Sequence, residues 1–224
     1  MAEQVAFNVD CMEYMRTLPD KVFDLAVVDP PYSGGGYGFA CKERFGGHFD
    51  KYRTYQSDRR EVGVQVRKKI IAWDNAPGKE YFDELFRVSK QQIIWGGNYF
   101  SLPPCRRFLI WEKSNISESF TMAQCEYAWT SFKDNAKIFR HTSLRDKAEA
   151  HFHPTEKPVA LYRWIYRRYA KPGDKILDTH LGSGSSRIAA YDAGLDFIGL
   201  EIDEEYFCKQ EERWTAYTSQ TRMW

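Results

Sequence analysis

The sequence has almost no net charge, no long apolar run and no regular cysteine pattern. No uncharged apolar stretch is longer than that of Leu25–Val28, far short of the roughly 20 residues that cross a bilayer. The first residues, Met-Ala-Glu-Gln, also lack the basic-then-apolar pattern of a signal peptide. Five scattered cysteines without a Cys-x-x-Cys pair argue against a disulfide framework or a structural zinc site. We therefore expect a cytoplasmic protein with reduced thiols.

The net charge of +1 arises because two regions of opposite charge cancel. The chain has 32 Lys and Arg residues against 31 Asp and Glu residues. Residues 42–69 carry nine basic and four acidic side chains, whereas residues 201–212 carry six acidic and one basic. Aromatic residues are interleaved with the cations of the first region, as is typical of nucleic-acid binding, where cations neutralise phosphates and rings stack on bases. A solvated surface is the alternative interpretation.

Short apolar runs bounded by turn residues alternate with segments of helical periodicity, such as Tyr81, Leu85 and Val88. This alternation predicts an α/β fold with a mostly parallel sheet covered by helices on both faces. The length fits a single domain over residues 1–224. The predicted strands are Val5–Val9, Phe23–Val28, Gln92–Trp95, Phe108–Trp111, Glu126–Thr130, Lys175–Leu177 and Phe197–Leu200.

The motif Asp29-Pro30-Pro31-Tyr32 directly follows the second predicted strand. Such a run is rare by chance, because proline makes up only about 5% of residues. Two prolines without N–H groups leave backbone carbonyls free as acceptors, and the Asp29 carboxylate adds a second acceptor beside them. The arrangement suits a substrate amino group with two hydrogens to donate, and Tyr32 offers a stacking surface. The structural alternative is a strand exit at which the prolines only end the pairing.

A glycine-rich turn between a predicted strand and a predicted helix lies within residues 175–186. Gly182 and Gly184 let the backbone approach a ligand closely. A P-loop is a poor match because no Lys follows Gly184, and a dinucleotide fingerprint lacks its third glycine at Arg187. Glu201 ends the next strand at the spacing expected for binding ribose hydroxyls. The pattern indicates nucleoside binding, and a dehydrogenase remains a weakened alternative.

Together these motifs resemble the DNA amino-methyltransferases, which transfer methyl from S-adenosylmethionine to exocyclic nitrogens. The resemblance rests on residues 29–32 as the catalytic motif, residues 178–184 as the cofactor loop and His153–Pro158 ahead of that loop. Residues 5–15 and 95–100 are also similar to family segments. The catalytic motif precedes the cofactor loop, as in the permuted group often called the beta class. The resemblance implies a class I methyltransferase fold, Rossmann-like and seven-stranded, with a circularly permuted motif order.

The resemblance also implies which residues bind the cofactor. The family loop usually reads Asp-Pro-Phe-x-Gly, and here Thr179-His180 replaces Pro-Phe, so His180 either substitutes for the Phe by stacking or has a structural role in the turn. The implied ligands are Asp10 and Cys11 for adenine, Glu201 for ribose, Asp178, Leu181, Gly182, Ser183 and Gly184 for the methionine portion, and Thr155 and Lys157 for its carboxylate.

The implied reaction is methylation of the exocyclic N6 of adenine in DNA. Asp at the first motif position resembles N6-adenine enzymes more than N4-cytosine enzymes, which are the alternative. The Asp29 carboxylate and the Pro30 carbonyl would accept the two amino hydrogens and free the nitrogen lone pair. No strong general base is needed, because the methylated cation is very acidic. The base would be flipped out of the duplex and held by Tyr32.

Two basic stretches are not needed for the sheet. Residues 33–70 form a basic, aromatic insertion, and residues 133–152 form a short target-recognition segment by hypothesis. Segments this small leave open a homodimer as a way to hold duplex DNA. The residues expected to contact DNA phosphates are Arg59, Arg60, Lys68 and Lys69.

Three other classes of protein fit parts of the pattern. A methyltransferase for RNA or for a protein glutamine uses a similar catalytic motif, although Asn is commoner at its first position. A non-catalytic nucleic-acid-binding module would not need the two glycines and Glu201. A metal enzyme could use His151 and His153 as ligands, but no Cys or carboxylate lies at ligand spacing from them in the sequence. No metal site is therefore predicted.

Overall fold

The computed structural model describes residues 2–32, 76–117, 119, 123–142 and 156–219. Within these ranges, one sheet and five helices make up the regular structure. The strands are β1 (Gln4–Asn8), β2 (Phe23–Val28), β3 (Ser89–Trp95), β4 (Phe108–Lys113), β5 (Cys125–Thr130), β6 (Lys137–His141), β7 (Lys175–Asp178) and β8 (Asp196–Glu201). The helices are α1 (Cys11–Arg16), α2 (Lys79–Val88), α3 (Val159–Tyr169), α4 (Ser185–Asp192) and α5 (Glu204–Ser219), and a 3-10 turn covers Gly97–Tyr99.

The eight strands lie in the order β1-β8-β7-β2-β3-β5-β4-β6. All strand pairings are parallel except the two that β5 makes with β3 and β4. The predicted mostly parallel α/β fold is confirmed, and each of the seven predicted strands is present. The eighth strand, β6, was not predicted. It is an edge strand in which Lys137, Ile138 and Arg140 are exposed, so no buried apolar run signals it.

Two apolar cores lie on opposite faces of the sheet, because successive residues of a strand point to opposite sides. In β2, Leu25 and Val27 belong to the core that includes α3 and α4. The alternate residues Ala26 and Val28 belong to the core that includes α1 and α2. Both faces are thus covered by helices, as predicted. No helix in the described ranges is long and apolar enough to span a membrane.

The strand order reverses between β7 and β2. From β2 the chain continues to β3 on one side, and from β7 it continues to β8 on the other side. At such a point the loops diverge and open a crevice at the carboxyl ends of the strands. Asp29 follows β2 and Asp178 ends β7, so their carboxylates flank this crevice. Asp10 and Glu201, at the ends of β1 and β8, lie along the same edge.

Candidate active site

Asp29 leaves the sheet immediately after the buried Val28. Its Oδ2 accepts a hydrogen bond from Nζ of Lys157. Its Oδ1 is buried and has no hydrogen-bond partner among the described residues. A buried acceptor without a donor costs about 1–3 kcal/mol. Oδ1 is therefore a position at which an N–H group of a ligand is favourable, and the two prolines that follow cannot supply one.

Lys157 lies between two carboxylates, with only 3% of its side chain exposed. Its Nζ is 3.2 Å from Oε2 of Glu126 and 5.4 Å from the ring centroid of Trp95. Burial lowers the pKa of Lys157, but Asp29 and Glu126 outweigh burial and raise it above its ordinary value. A contact of Lys157 with a cofactor carboxylate would compete with these partners and stays a prediction. Lys157 precedes α3, which begins at Val159, so it is not part of the helix.

The charges around Asp29 act in opposite directions. Burial raises the pKa of Asp29 and Lys157 lowers it, while the negative charge of Glu126 raises it further, and the net direction is upward. Burial also raises the pKa of Glu126, but the ammonium groups of Lys157 and Lys113 outweigh burial and lower it. The result is a buried Asp29 whose ionised form depends on Lys157.

The ring of Tyr32 is already stacked on another aromatic ring. Tyr99 lies parallel to it, with ring centroids 4.5 Å apart and planes 4° apart, and Phe100 meets it edge-on at 6.4 Å. Gly96 has a φ of +67°, and a Cβ there would lie 2.5 Å from Cδ1 of Tyr32, so only glycine allows this close approach. Tyr99 is 51% exposed. Neither Tyr99 nor Glu126 was identified as a site residue from the sequence.

The turn between β7 and α4 brings the cofactor-loop residues together. Gly182 and Gly184 have φ values of +53° and +77°, which favour glycine. Oε2 of Glu201 accepts a hydrogen bond from the amide of Gly182 at 2.8 Å. The side chain of Arg213 donates to the carbonyl of Ser183 at 3.0 Å. Glu201 and α5 thus hold the turn in a fixed conformation, with the buried Leu181 beneath it.

Asp178 and Glu201 are buried carboxylates, and no Lys or Arg of the described ranges pairs with either. Asp178 is 2% exposed and accepts hydrogen bonds from the hydroxyl of Ser186 and the amide of His180. Burial, reinforced by nearby carboxylates, raises the pKa of Asp178 to about 7. Burial likewise raises the pKa of Glu201. A positively charged ligand group would favour the ionised form of both, so this part of the crevice suits a cation.

Asp10 and Cys11 lie at the end of β1, beside Glu201. Oδ1 of Asp10 accepts hydrogen bonds from two backbone amides of the next turn, at 2.7 and 3.2 Å, and so caps α1. Burial raises the pKa of Cys11 to about 12, and the thiol stays neutral. Asp10 therefore has a structural role in addition to the adenine contact that the resemblance implies.

The Thr179-His180 pair forms a buried polar chain with α2. Oγ1 of Thr179 lies 2.6 Å from the Tyr81 hydroxyl and 2.9 Å from Nδ1 of His180. The rings of Tyr81 and His180 also meet edge to face at 5.5 Å. Burial lowers the pKa of His180 to about 4, so the ring is neutral near pH 7. His180 thus combines an aromatic contact with a hydrogen bond that Phe cannot make.

Several predicted features lie outside the described residues. These include the 33–70 insertion and the second half of the 133–152 segment, whose described first half contains the edge strand β6. The predicted residues outside the described ranges are Arg59, Arg60, Lys68, Lys69, His151, His153 and Thr155.

Comparison with known proteins agrees with the predicted fold and family. Residues 79–212, more than half of the chain, match the N6/N4 methyltransferase family model described as DNA methylase. The chain therefore belongs to this family of DNA methylases.

Individual relatives are distant. The chain is 23% identical to the type II methyltransferase M.HinfI of Haemophilus influenzae over 91% of its own length and 66% of that protein, just under two thirds. The M1.HpyAVI–SAM complex has a TM-score of 0.54 and 19% identity, covering 95% of this chain and 100% of that chain. The PvuII cytosine-N4-specific DNA methyltransferase has a TM-score of 0.61 and 12% identity, covering 99% and 88%. These structures share the fold.

Proposed function

We propose that this chain transfers a methyl group from S-adenosylmethionine to the exocyclic N6 of adenine in DNA. The observation that carries the proposal is the buried Oδ1 of Asp29, an acceptor without a described donor at the crevice between β2 and β7. Membership of the DNA methylase family supports the reaction class. The relative M.HinfI is named a type II methyltransferase, and M1.HpyAVI was solved as a complex with SAM.

The crevice fits S-adenosylmethionine better than a dinucleotide. When bound, this cofactor supplies a methyl group on a positively charged sulfonium, and the bonding electron pair stays on sulfur as the methyl leaves. Asp178 and Glu201 attract positive charge and would repel a pyrophosphate. The Gly182 and Gly184 backbone leaves room beside them. In this proposal the adenine portion contacts Asp10 and Cys11, and the ribose contacts Glu201. The methionine portion contacts Asp178 and the glycine turn.

Asp29 and Pro30 act on the target amino group. Oδ1 of Asp29 and the Pro30 carbonyl each accept one amino hydrogen, which favours a tetrahedral nitrogen with its lone pair free. The nitrogen gains a bond to the methyl carbon and then sheds one proton. The Asp29 carboxylate receives this proton and passes it to water, and a separate strong base is unnecessary.

Tyr32 is the surface on which the flipped base stacks. Because the Tyr99 ring lies against it with centroids 4.5 Å apart, no base fits between the two rings as they stand. Tyr99 therefore has to move when the base enters. A face-to-face stack of this kind is also the geometry that a base adopts on an aromatic side chain.

Adenine is proposed over cytosine because Asp29, and not Ser, stands first in the motif, as in the N6-adenine enzymes that the sequence resembles. Likeness to the PvuII cytosine-N4 enzyme is one of fold alone.

The test is a transfer assay with methyl-labelled S-adenosylmethionine on DNA, RNA and protein, using the full chain. We expect label in DNA only, and mass spectrometry of the released nucleosides should show N6-methyladenine. N4-methylcytosine would contradict the base assignment, and label confined to RNA or protein would contradict the substrate. Sequencing of modified bases in DNA from cells that express the chain, with Asp29→Ala as the control, would give the recognition sequence.

A further inference from the structure

Four side chains of alternating charge extend from the crevice into the antiparallel part of the sheet. Asp29 follows β2, Lys157 precedes α3, Glu126 lies on β5 and Lys113 lies on β4. Nζ of Lys157 bridges Asp29 and Glu126, and Nζ of Lys113 lies 2.8 Å from Oε1 of Glu126. We call this group the Lys157 cluster. Its charges sum to zero, and two of its members, Lys113 and Glu126, are not adjacent to the predicted motifs.

Glu126 occupies a position where an unpaired carboxylate would be costly. Glu126 lies two and four residues before the buried Ala128 and Thr130 on β5, so its side chain points to the same, covered face of the sheet. Burying a charge is tolerated when partners are present, and each Glu126 oxygen has one: Oε1 has Lys113, and Oε2 has Lys157. Glu126 is thereby placed to fix Lys157 from the side opposite Asp29.

Lys157 determines in which form Asp29 meets a substrate. Asp29 is buried beside Glu126, so removing the ammonium of Lys157 would raise its pKa further and favour the protonated carboxyl. A protonated carboxyl carries an O–H donor and loses acceptor capacity, which disfavours an incoming amino group. The bond from Lys157 to Oδ2 also leaves Oδ1 as the oxygen without a described partner.

We propose that Lys157 and Glu126 are paired positioning residues for methyl transfer, in which Lys157 holds Asp29 ionised with Oδ1 free and Glu126 holds Lys157 and weakens its pull on Asp29. The inference rests on the proposed function. The amino N–H bond breaks after the methyl has been gained, an O–H bond forms at Asp29, and the proton then leaves to water. If Lys157 lowered the pKa of Asp29 too far, Asp29 would be a poor acceptor for this proton. If Lys157 lowered it too little, Asp29 would be protonated before the base arrives.

Other titratable groups also face Asp29. Tyr32, Tyr81 and Tyr162 have pKa values raised chiefly by burial, so they are neutral over the working pH range. Asp178 has a pKa of about 7 and titrates within that range. Because Asp178 is present in wild type and in each variant below, differences between their pH profiles report on the Lys157 cluster.

The experiment measures kcat against pH at saturating S-adenosylmethionine and DNA for wild type, Lys157→Met and Glu126→Gln. The acid limb should move to higher pH in Lys157→Met, by about 1–3 pH units, because an opposite charge has been removed from Asp29. It should move to lower pH in Glu126→Gln, by up to about one unit, because a like charge has been removed. A purely structural role for the two residues does not produce shifts of opposite sign.

Lys90→Met is the matched control. Nζ of Lys90 lies 2.6 Å from Oδ1 of Asp24 near the amino end of β3, away from the crevice, and the Lys90 side chain is 55% exposed. Its acid limb should coincide with that of wild type. Acid limbs that are unmoved in both variants, or that move in the same direction, would overturn the proposal. If Lys157→Met does not fold, Glu126→Gln decides alone, and an unmoved or raised limb counts against the pair.

A failure of the proposed function looks different, because wild type itself would then transfer no methyl to DNA. The pair can still be measured through thermal unfolding in the absence of substrates. In Lys157→Met the pKa of folded Asp29 should lie further above its unfolded value than in wild type, because the lowering effect of the ammonium is lost. A carboxyl with a raised folded pKa adds stability at low pH that is lost as pH rises, so the melting temperature of Lys157→Met relative to wild type should fall with increasing pH. A constant difference would contradict the role of Lys157.

Discussion

The two sides of the crevice treat their functional groups differently. On the catalytic side, Asp29 is paired with the cation of Lys157, and the Tyr32 ring is stacked on Tyr99. On the cofactor side, Asp178 accepts hydrogen bonds only from neutral donors within the described residues. Its pKa is correspondingly raised to about 7. The catalytic side thus has partners of its own, whereas the cofactor side has carboxylates that a cationic ligand would stabilise.

This difference fits the proposed roles of the two sides. In the proposed mechanism Asp29 is an ionised acceptor before the base arrives, which in a buried position requires a resident cation. Asp178 and Glu201 gain from remaining unpaired, because the free energy of bringing a positive ligand beside them then contributes to binding. The first two predictions below should each abolish the function of one side, and the last three should change it by smaller amounts.

The largest expected effect is on the catalytic side. Asp29→Ala removes one of the two acceptors for the amino hydrogens, and methyl transfer should fall by about 10²–10³-fold or more. The affinity for S-adenosylmethionine, measured by calorimetry, should stay within a few-fold of wild type. Asp24→Ala, on the same strand but paired with the exposed Lys90, is the control and should retain activity. A near wild-type rate for Asp29→Ala would rule out this mechanism.

On the cofactor side, Gly184→Asp should weaken S-adenosylmethionine binding by about 10²-fold. Gly184 has a φ of +77°, and a Cβ there would lie 3.3 Å from Gln210. Strain of this kind costs about 1–3 kcal/mol, and the new carboxylate would crowd the loop. Gly194→Asp has a similar φ of +67° with open space around it and should bind normally. Normal binding by Gly184→Asp would remove the loop from the cofactor site.

Cofactor affinity should rise with pH because of Asp178. A cationic ligand prefers the ionised carboxylate, so its Kd should fall roughly tenfold between pH 6 and pH 8 as Asp178, with its pKa near 7, loses its proton. Asp178→Asn should bind more weakly, with a flatter pH dependence.

The same pKa makes a prediction for stability. A carboxyl with a raised folded pKa stabilises the free protein at low pH, and that contribution is lost as pH rises through about 7. The increase in melting temperature on adding S-adenosylmethionine should therefore be larger at pH 8 than at pH 6. An equal increase at both values would argue that Asp178 does not face the ligand's charge.

The smallest effect is expected at Tyr99. Because its ring covers a face of Tyr32, Tyr99→Ala should expose that face and lower the KM for DNA by about threefold, with kcat little changed; this is a fraction of the stacking free energy of a base. Tyr99→Phe keeps the ring and should resemble wild type. A raised KM for Tyr99→Ala would mean that Tyr99 forms a wall of the base pocket.

Local patterns explain why much of the fold was predictable. The seven predicted strands are short apolar runs buried in the sheet, and Tyr81, Leu85 and Val88 do form one buried face of α2. The motifs at residues 29–32 and 178–184 were recognisable because each is a continuous segment. The prolines of the first restrict the backbone dihedral angles, and the glycines of the second allow conformations that other residues disfavour. The edge strand β6 was missed because exposure leaves it without an apolar signature.

Side-chain partners were less predictable. Glu126 carried a weak signal, because it is a charged residue on the same strand face as the buried Ala128 and Thr130. Nothing in the sequence indicated that Lys157 is its partner. Lys157 was assigned to the cofactor carboxylate because the resemblance to the DNA amino-methyltransferases implies that contact. In the folded chain its ammonium lies against Asp29.

The sequence by itself determined the family, the mostly parallel sheet and the two motifs, because these depend on periodicity and on residues adjacent in the chain. Only the tertiary structure decided that Asp29 has a cation while Asp178 has none among the described residues, and that Tyr99 lies on Tyr32. Those contacts join residues far apart in sequence, and their energies depend on burial, which arises only when the sheet and its helices exclude water.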